Sequence, residues 1–265
     1  MPFGIGIGQV VGLVKETRSL EGASAQIAVS GPGAGDLAAA LMAGGDRTAV
    51  PVDGDPSGAA VAVRFVDGAP SPAEAAVLRR LSRAGTPLIV VRRGGAEKIP
   101  HVLPGDVLDA EGEPPVAEIV AVIARVAGPA GPGLAARLPV LRPAVARRLI
   151  ATTSLANAAL AASSRMKQAQ LPLLTLAQSR MLLLLGLSGG DVLPRDPKEL
   201  ARAAAPAVGG SVAVGLGARA LVRRSPLGGP LVRAAVAYAG TRVLGAVRLR
   251  LGRPRPRGHV VRTGS

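Results

Sequence analysis

The chain has 265 residues, a formal net charge of +15 at pH 7, and an apolar fraction of 48% that is mostly Ala, Val and Leu. This apolar content excludes a wholly disordered chain. The sequence has no Cys and only two His, which excludes disulfides and thiolate metal sites and disfavours a zinc site. It also has no Trp, one Tyr and two Phe, so we expect an aliphatic core.

The two halves of the chain differ sharply in charge. Residues 1–137 carry 12 basic and 14 acidic side chains, a net charge of −2, whereas residues 138–265 carry 20 basic and 3 acidic side chains, a net charge of +17. A general preference for Arg would affect both halves alike. The loss of acidic residues from the second half therefore predicts an anionic neighbour or surface.

Residues 1–21 begin with an apolar stretch that has neither a basic flank nor a small-residue cleavage site. This stretch does not resemble a secretory signal. We predict an N-terminal packing arm, with a membrane-contacting segment as the alternative.

Residues 22–128 are predicted to form an α/β domain with a small doubly wound, mostly parallel sheet. Short runs without polar alternation are typical of strands that are buried on both faces. Helix signals lie between them, most clearly Ser71-Pro72-Ala73-Glu74, which combines a Ser cap, Pro at the first helical position and Glu three residues after the cap. The predicted strands are 27–29, 60–63, 88–91 and 106–109, and a further helix is predicted over 115–127.

A Gly-rich loop follows the first predicted strand and leads into a helix, which is the position of a phosphate-binding loop. Its residues are Gly31, Gly33, Gly35, Asp36 and Leu37. A nucleotide site would need Lys and then Ser or Thr after the last glycine, but this chain has Asp and Leu. The acidic charge opposes a phosphate by roughly 4 kcal/mol per unit charge at about 4 Å and an effective dielectric near 20. The sequence therefore predicts a degenerate loop that binds no nucleotide.

Other parts of a nucleotide site are also missing. Residues 92–95 read Arg-Arg-Gly-Gly where a GTPase would carry Asn-Lys-x-Asp, and 55–58 match Asp-x-x-Gly without a convincing preceding strand. We interpret 55–58 as a loop and Asp67 as a turn former. No catalytic residue, cofactor or metal site is predicted, and the chain is expected not to be an enzyme.

Residues 129–137 are predicted to be a Pro/Gly linker and 138–250 a basic helical bundle. Pro143 opens a long helical pattern, 173–187 is apolar on nearly all sides, and a cap signature at Asp196 starts another helix. Two more helices are predicted over about 203–222 and 230–250. Residues 251–265 are predicted to be a disordered basic tail.

Several stretches of the second half resemble the bacterial domain-of-unknown-function family 697. These are Leu171–Gln178 with the apolar helix after it, the helix start at 196–200, and Ala237–Gly245. Pro172, Gln178, Tyr238 and Thr241 fall where that family has them. The resemblance covers about 140–250 and implies fusion to a degenerate Era-like GTPase-type domain and association with the inner membrane, but it implies no catalytic residue.

Three functions are compatible with the sequence. The first is membrane association, in which basic residues near the C-terminus contact anionic lipid; the alternative location is cytoplasmic. The second is a soluble protein-interaction module that docks a partner through the α/β domain. The third, nucleic-acid binding, is disfavoured because the basic half has a single aromatic residue for base stacking. The predicted membrane or anion contacts are Arg248, Arg250, Arg253, Arg255 and Arg257.

Overall fold

The structure, a computed structural model, describes residues 12–13, 15–17, 19, 25–56, 58–95, 98–163, 170–191, 209 and 230–251. Its first part is an α/β unit with a four-stranded parallel sheet. The strands are β1 (Ile27–Ser30), β2 (Val61–Asp67), β3 (Leu88–Arg93) and β4 (Val107–Asp109), and they lie side by side in chain order. All four contain or overlap the predicted strands, which confirms an α/β domain with a parallel sheet.

A single residue, Val52, lies beside β1 as a parallel bridge to Val29. The Val29 N–H donates to the carbonyl of Pro51 (3.0 Å), and the Asp53 N–H donates to the carbonyl of Val29 (2.9 Å). In parallel pairing both backbone groups of one residue point to the same side. Val52 therefore lies on the edge of β1 opposite β2, and a strand-like residue does precede the Asp-x-x-Gly stretch.

Helices cover both faces of the sheet. Helices α1 (Ala34–Leu41) and α3 (Val116–Val126) pack on the face that includes Val29, Phe65 and Val91, whereas α2 (Pro72–Arg83) packs on the face that includes Val66 and Val90. The predicted capping box of α2 is confirmed: the Glu74 N–H donates to Ser71 Oγ, and the Ser71 N–H donates to Glu74 Oε2.

Residues 129–137, expected to be a linker, are instead ordered and packed. They form a short 3-10 turn and helix α4 (Gly131–Arg137), in which Leu134 and Ala135 are fully buried. Both belong to the same apolar core as the sheet residues and Val145. The small residues of this segment allow close packing rather than a flexible joint, so the predicted boundary at 128 cuts through the core.

Arg137 ties α4 to the beginning of the α/β unit. Its Nε donates to Asp46 Oδ2 (2.9 Å), Nη1 to the carbonyl of Ala25 (2.6 Å) and Nη2 to Thr48 Oγ1 (2.8 Å). Hydrogen bonds from the Thr48 hydroxyl and backbone, with those from Arg137, lower the pKa of Asp46 to about 2. The guanidinium thus links residues that lie about ninety positions apart in sequence.

The second part is helical. Helix α5 (Arg142–Ala162) packs against both α6 (Gln170–Gly189) and α7 (Pro230–Leu251). The apolar segment predicted over 173–187 lies in α6, and Met181–Ser188 are all buried. Apart from Gly209, the predicted helices that start at Asp196 and at 203 lie outside the described residues, as does the predicted tail beyond Leu251.

A buried polar cluster lies between these three helices. Asn157 Nδ2 and Gln178 Nε2 donate to Thr241 Oγ1 at 3.0 and 3.1 Å, and that hydroxyl donates to the carbonyl of Ala237. Gly245, one turn further along α7, faces Ile150, whose Cγ1 would be 2.6 Å from an added Cβ. The small residues of α7 therefore permit a close approach to α5.

The described part of the N-terminal arm contacts the helices. Glu16 forms an ion pair with Arg180 of α6 at 2.7 Å, and Thr17 is buried. The described residues of this segment therefore lie against α6.

Candidate functional site

The Gly-rich loop joins β1 to α1 at the carboxyl edge of the sheet. Gly31 has φ of 94°, and a Cβ there would lie 2.5 Å from the carbonyl oxygen of Phe65 in β2. Only glycine therefore fits between the loop and the neighbouring strand. The role of Gly31 is therefore internal packing between the loop and β2.

Gly33 is the residue before α1 and adopts φ of 86°. A Cβ there would lie 2.2 Å from Nη2 of Arg93, whose guanidinium also stacks on the Phe65 ring at 5.3 Å from its centroid. Arg93 ends β3, so the sheet itself places a cation against the loop. The chain therefore supplies from a distant strand the positive charge that its loop sequence lacks.

The remaining loop residues are arranged differently from a nucleotide site. Gly35 lies in the first turn of α1, and a Cβ added there would meet no neighbouring atom within 4 Å. Asp36 is exposed in the same turn, where its charge complements the helix N-terminus. Leu37 is fully buried in the core. The position that would need a magnesium-binding hydroxyl therefore faces the protein interior.

The contact between Arg93 and Gly33 could not be found from sequence. Its two partners lie in separate β–α units, and only the parallel order of the strands brings them together. Within the described residues, Arg93 forms no ion pair, and its buried Nε has no hydrogen-bond partner. Asp67 at the end of β2 is exposed, and the described part of the chain contains no cluster of acidic or His side chains that could hold a metal.

A second candidate surface is the outward side of α7. Apolar side chains are exposed there together with arginines, and α7 contains no acidic residue. Val243 is 60% exposed and Val247, one turn later, is 45% exposed. Arg242 and Arg250 are exposed beside them. The exposed large apolar residues of α7 are Leu231, Tyr238, Val243, Val247 and Leu249.

The arginines predicted to contact a membrane or anion do not share one environment. Arg248 forms an ion pair with Asp191 that joins α7 to the end of α6. Arg250 is exposed in the last turn of α7. Arg253, Arg255 and Arg257 lie outside the described residues. Arg242, which the prediction did not include, lies on the exposed side and donates to the Tyr238 hydroxyl at 3.1 Å.

Within the described ranges, no individual helix combines the length and apolar character needed to cross a bilayer. One bent pair, Val116–Val126 with Gly128–Arg137, meets the criteria of length and composition when taken together.

Searches against protein-family models, curated proteins and solved structures returned no match for this chain. The resemblance to family 697 and to an Era-like domain therefore stays a prediction from the residues quoted for it.

Proposed function

We propose that this protein acts without catalysis at an anionic membrane surface, to which α7 attaches it, and that its α/β unit is a degenerate phosphate-loop domain available for docking. The observation that carries the proposal is the outward side of α7, where exposed valines lie beside exposed arginines on a helix without acidic residues. An interfacial helix buries such apolar side chains at the lipid boundary while its arginines contact headgroups.

The charge distribution supports the same attachment. Each arginine near an anionic surface contributes about 1 kcal/mol, so Arg242 and Arg250 together supply a modest attraction. Insertion of the exposed valines and leucines of α7 adds about 25 cal/mol per Å² of apolar area removed from water. Neither contribution is large alone, and we therefore expect reversible, salt-sensitive binding.

Vesicle co-sedimentation tests this proposal. Full-length protein should bind vesicles that contain phosphatidylserine and should bind vesicles of phosphatidylcholine much more weakly. The double variants Arg242→Gln/Arg250→Gln and Val243→Gln/Val247→Gln should each reduce binding several-fold.

Matched controls exist on the α/β unit. Leu103→Gln removes a leucine that is 70% exposed there, and Arg79→Gln/Arg83→Gln removes two exposed arginines of α2. These changes should leave vesicle binding unchanged. Equal losses in the control and α7 variants, or no binding by the unmodified chain at low salt, would reject α7 as the attachment surface.

The non-catalytic part of the proposal is supported by the loop. Leu37 is buried where a hydroxyl would be required, and Asp36 places a negative charge at the start of α1. Titration with labelled GTP and ATP in the presence of Mg²⁺ should show no saturable binding. Tight magnesium-dependent binding would contradict this part and leave the membrane proposal standing.

A further inference from the structure

The chain reverses its direction across the sheet at β1. After α1 it passes Val52 on one edge of β1, and it then crosses to the other edge to form β2. Helices α1 and α2 lie on opposite faces of the sheet. Such a reversal leaves a crevice near the carboxyl ends of parallel strands, and ligands commonly bind there.

A pocket of about 180 Å³ opens at this reversal, on the face that carries α2. Two small residues, Ala28 and Ala62, are paired in register between β1 and β2 and line it, which leaves room above the sheet. The next pair on the same face of the sheet, Ser30 and Arg64, supplies polar groups. The register of β1 and β2 therefore places one pair of small residues and one pair of polar residues along the pocket.

Arg64 has unused hydrogen-bonding capacity in this pocket. Its Nη1 donates to Ser30 Oγ at 3.3 Å, whereas its Nε is buried and has no partner in the described part of the chain. Its charge also acts on Glu74, whose pKa is lowered chiefly by hydrogen bonds from Ser71 and secondarily by Arg64. No carboxylate of the described residues forms an ion pair with Arg64.

A second arginine, Arg80 of α2, lines the same pocket and is exposed. The pocket's acidic residue is Asp53, whose Oδ1 already accepts a hydrogen bond from the Gly31 N–H at 3.2 Å. Two arginines therefore line a pocket whose one acidic lining residue already accepts a hydrogen bond. Guanidinium groups match phosphate and carboxylate oxygens in geometry as well as charge.

We propose that this pocket binds a small oxyanion, a phosphate or carboxylate group, through Arg64 and Arg80. Its volume is below the roughly 300–1,000 Å³ of pockets that enclose drug-sized ligands, so it accommodates a charged group rather than a nucleotide. A larger pocket of about 380 Å³ shares Arg80 but lies at the amino ends of β2 and β3 and has no other charged residue in its lining. The anion therefore belongs in the smaller pocket.

The proposal is tested by titrating the full-length protein with inorganic phosphate and, separately, with succinate, at constant ionic strength set by chloride. Calorimetry and thermal unfolding measure binding, and NMR follows the Arg64 Nε–H signal, which is assigned by its loss in Arg64→Gln. At least one anion should bind saturably and shift that signal. Arg80→Gln should weaken binding about 10-fold to 100-fold, because a hydrogen bond to a charged group contributes about 1.5–3 kcal/mol.

Two variants locate the site. Arg79→Gln changes an exposed arginine next to Arg80 that does not line the pocket, and it should retain the affinity of the unmodified protein. Arg93→Gln should also retain it, because Arg93 lies against Gly33 on the other face of the sheet. Loss of binding in Arg93→Gln but not in Arg80→Gln would move the anion to the Gly-rich loop and overturn the proposal. Equal weakening in Arg79→Gln and Arg80→Gln, or no saturable binding of either anion, would also overturn it.

Discussion

At the scale of single residues, the Gly-rich loop contains glycines with opposite requirements. Gly31 has a left-handed backbone conformation and lies against the carbonyl oxygen of Phe65, whereas Gly35 lies inside α1 with open space around it. The same residue type therefore contributes differently to the stability of the protein at these two positions. Only the φ angle and the neighbouring strand distinguish them.

The substitutions Gly31→Ala and Gly35→Ala should have opposite effects on stability. Gly31→Ala forces a Cβ against backbone at a strained φ and should lower the free energy of unfolding by about 1–3 kcal/mol. Gly35→Ala should raise it by about 0.4–1 kcal/mol, since it reduces the entropy of the unfolded chain. Urea unfolding of the two variants measures both effects, and a similar loss for both would contradict the packing described for the loop.

The carboxylate of Asp46 predicts a specific acid sensitivity. Its folded-state pKa is about 2, below the ordinary value of 3.8, chiefly because Thr48 and then Arg137 hydrogen-bond the charged form. A depressed pKa contributes stability that is fully present above the unfolded value and is lost as the pH falls from about 4 towards 2.

Denaturant unfolding over this pH range should therefore show a smaller acid-dependent loss for Asp46→Asn than for the unmodified chain. Asp67→Asn, at an exposed position at the end of β2, serves as the control. Identical pH profiles for Asp46→Asn and the unmodified chain would show that the network around Arg137 does not hold this carboxylate in its charged form.

At the scale of elements, the sequence predicted individual strands and helices better than it predicted the contacts between elements that are distant in sequence. Three apolar runs indicated β1, β2 and β3, the strand–helix alternation indicated β4, and the Ser71–Glu74 signature predicted the start and cap of α2. These signals depend on neighbours in sequence, so one chain suffices to detect them. The Arg93 contact with Gly33 and the Arg137 contact with Asp46 depend on strand order and helix packing, for which the sequence offers no local signal.

The buried cluster around Thr241 should be the most sensitive polar point of the helical part. Thr241→Val retains shape but leaves the amide groups of Asn157 and Gln178 without their shared acceptor. Each unsatisfied buried group costs about 1–3 kcal/mol. Thr241→Ser keeps the hydroxyl and should lose much less stability.

Thermal and urea unfolding of the two Thr241 variants provide the measurement. If Thr241→Val proves as stable as Thr241→Ser, the hydroxyl is not the shared acceptor between α5, α6 and α7.

At the scale of the whole molecule, the sheet and the first helices of the basic half share one core. Leu134 of α4 and Val145 of α5 belong to the same apolar cluster as Ile27 and Val63 of the sheet. The net charge of the chain changes sign near residue 137, but the apolar core continues across this point. A fragment that ends near 128 would lack the residues of α4 and α5 that belong to this core, so we do not expect it to fold alone.

Leu134→Ala should therefore lower the stability of the α/β unit and of the helical part together. Loss of a fully buried leucine costs about 2–5 kcal/mol, and hydrogen exchange should show similar decreases in protection for β2 and α5. Leu155→Ala, at a position of α5 that is 67% exposed, is the control and should change little. Weakening confined to α5 would contradict a shared core.

The half-exposed position of Tyr238 on α7 has a spectroscopic consequence. Because the chain has one tyrosine and no tryptophan, almost all of its near-ultraviolet absorption and intrinsic fluorescence arises from this single ring. The ring lies beside the Arg242 guanidinium, 5.7 Å from its centroid. Its emission therefore reports changes at this one helix, without any added label, and is insensitive to events confined to the sheet.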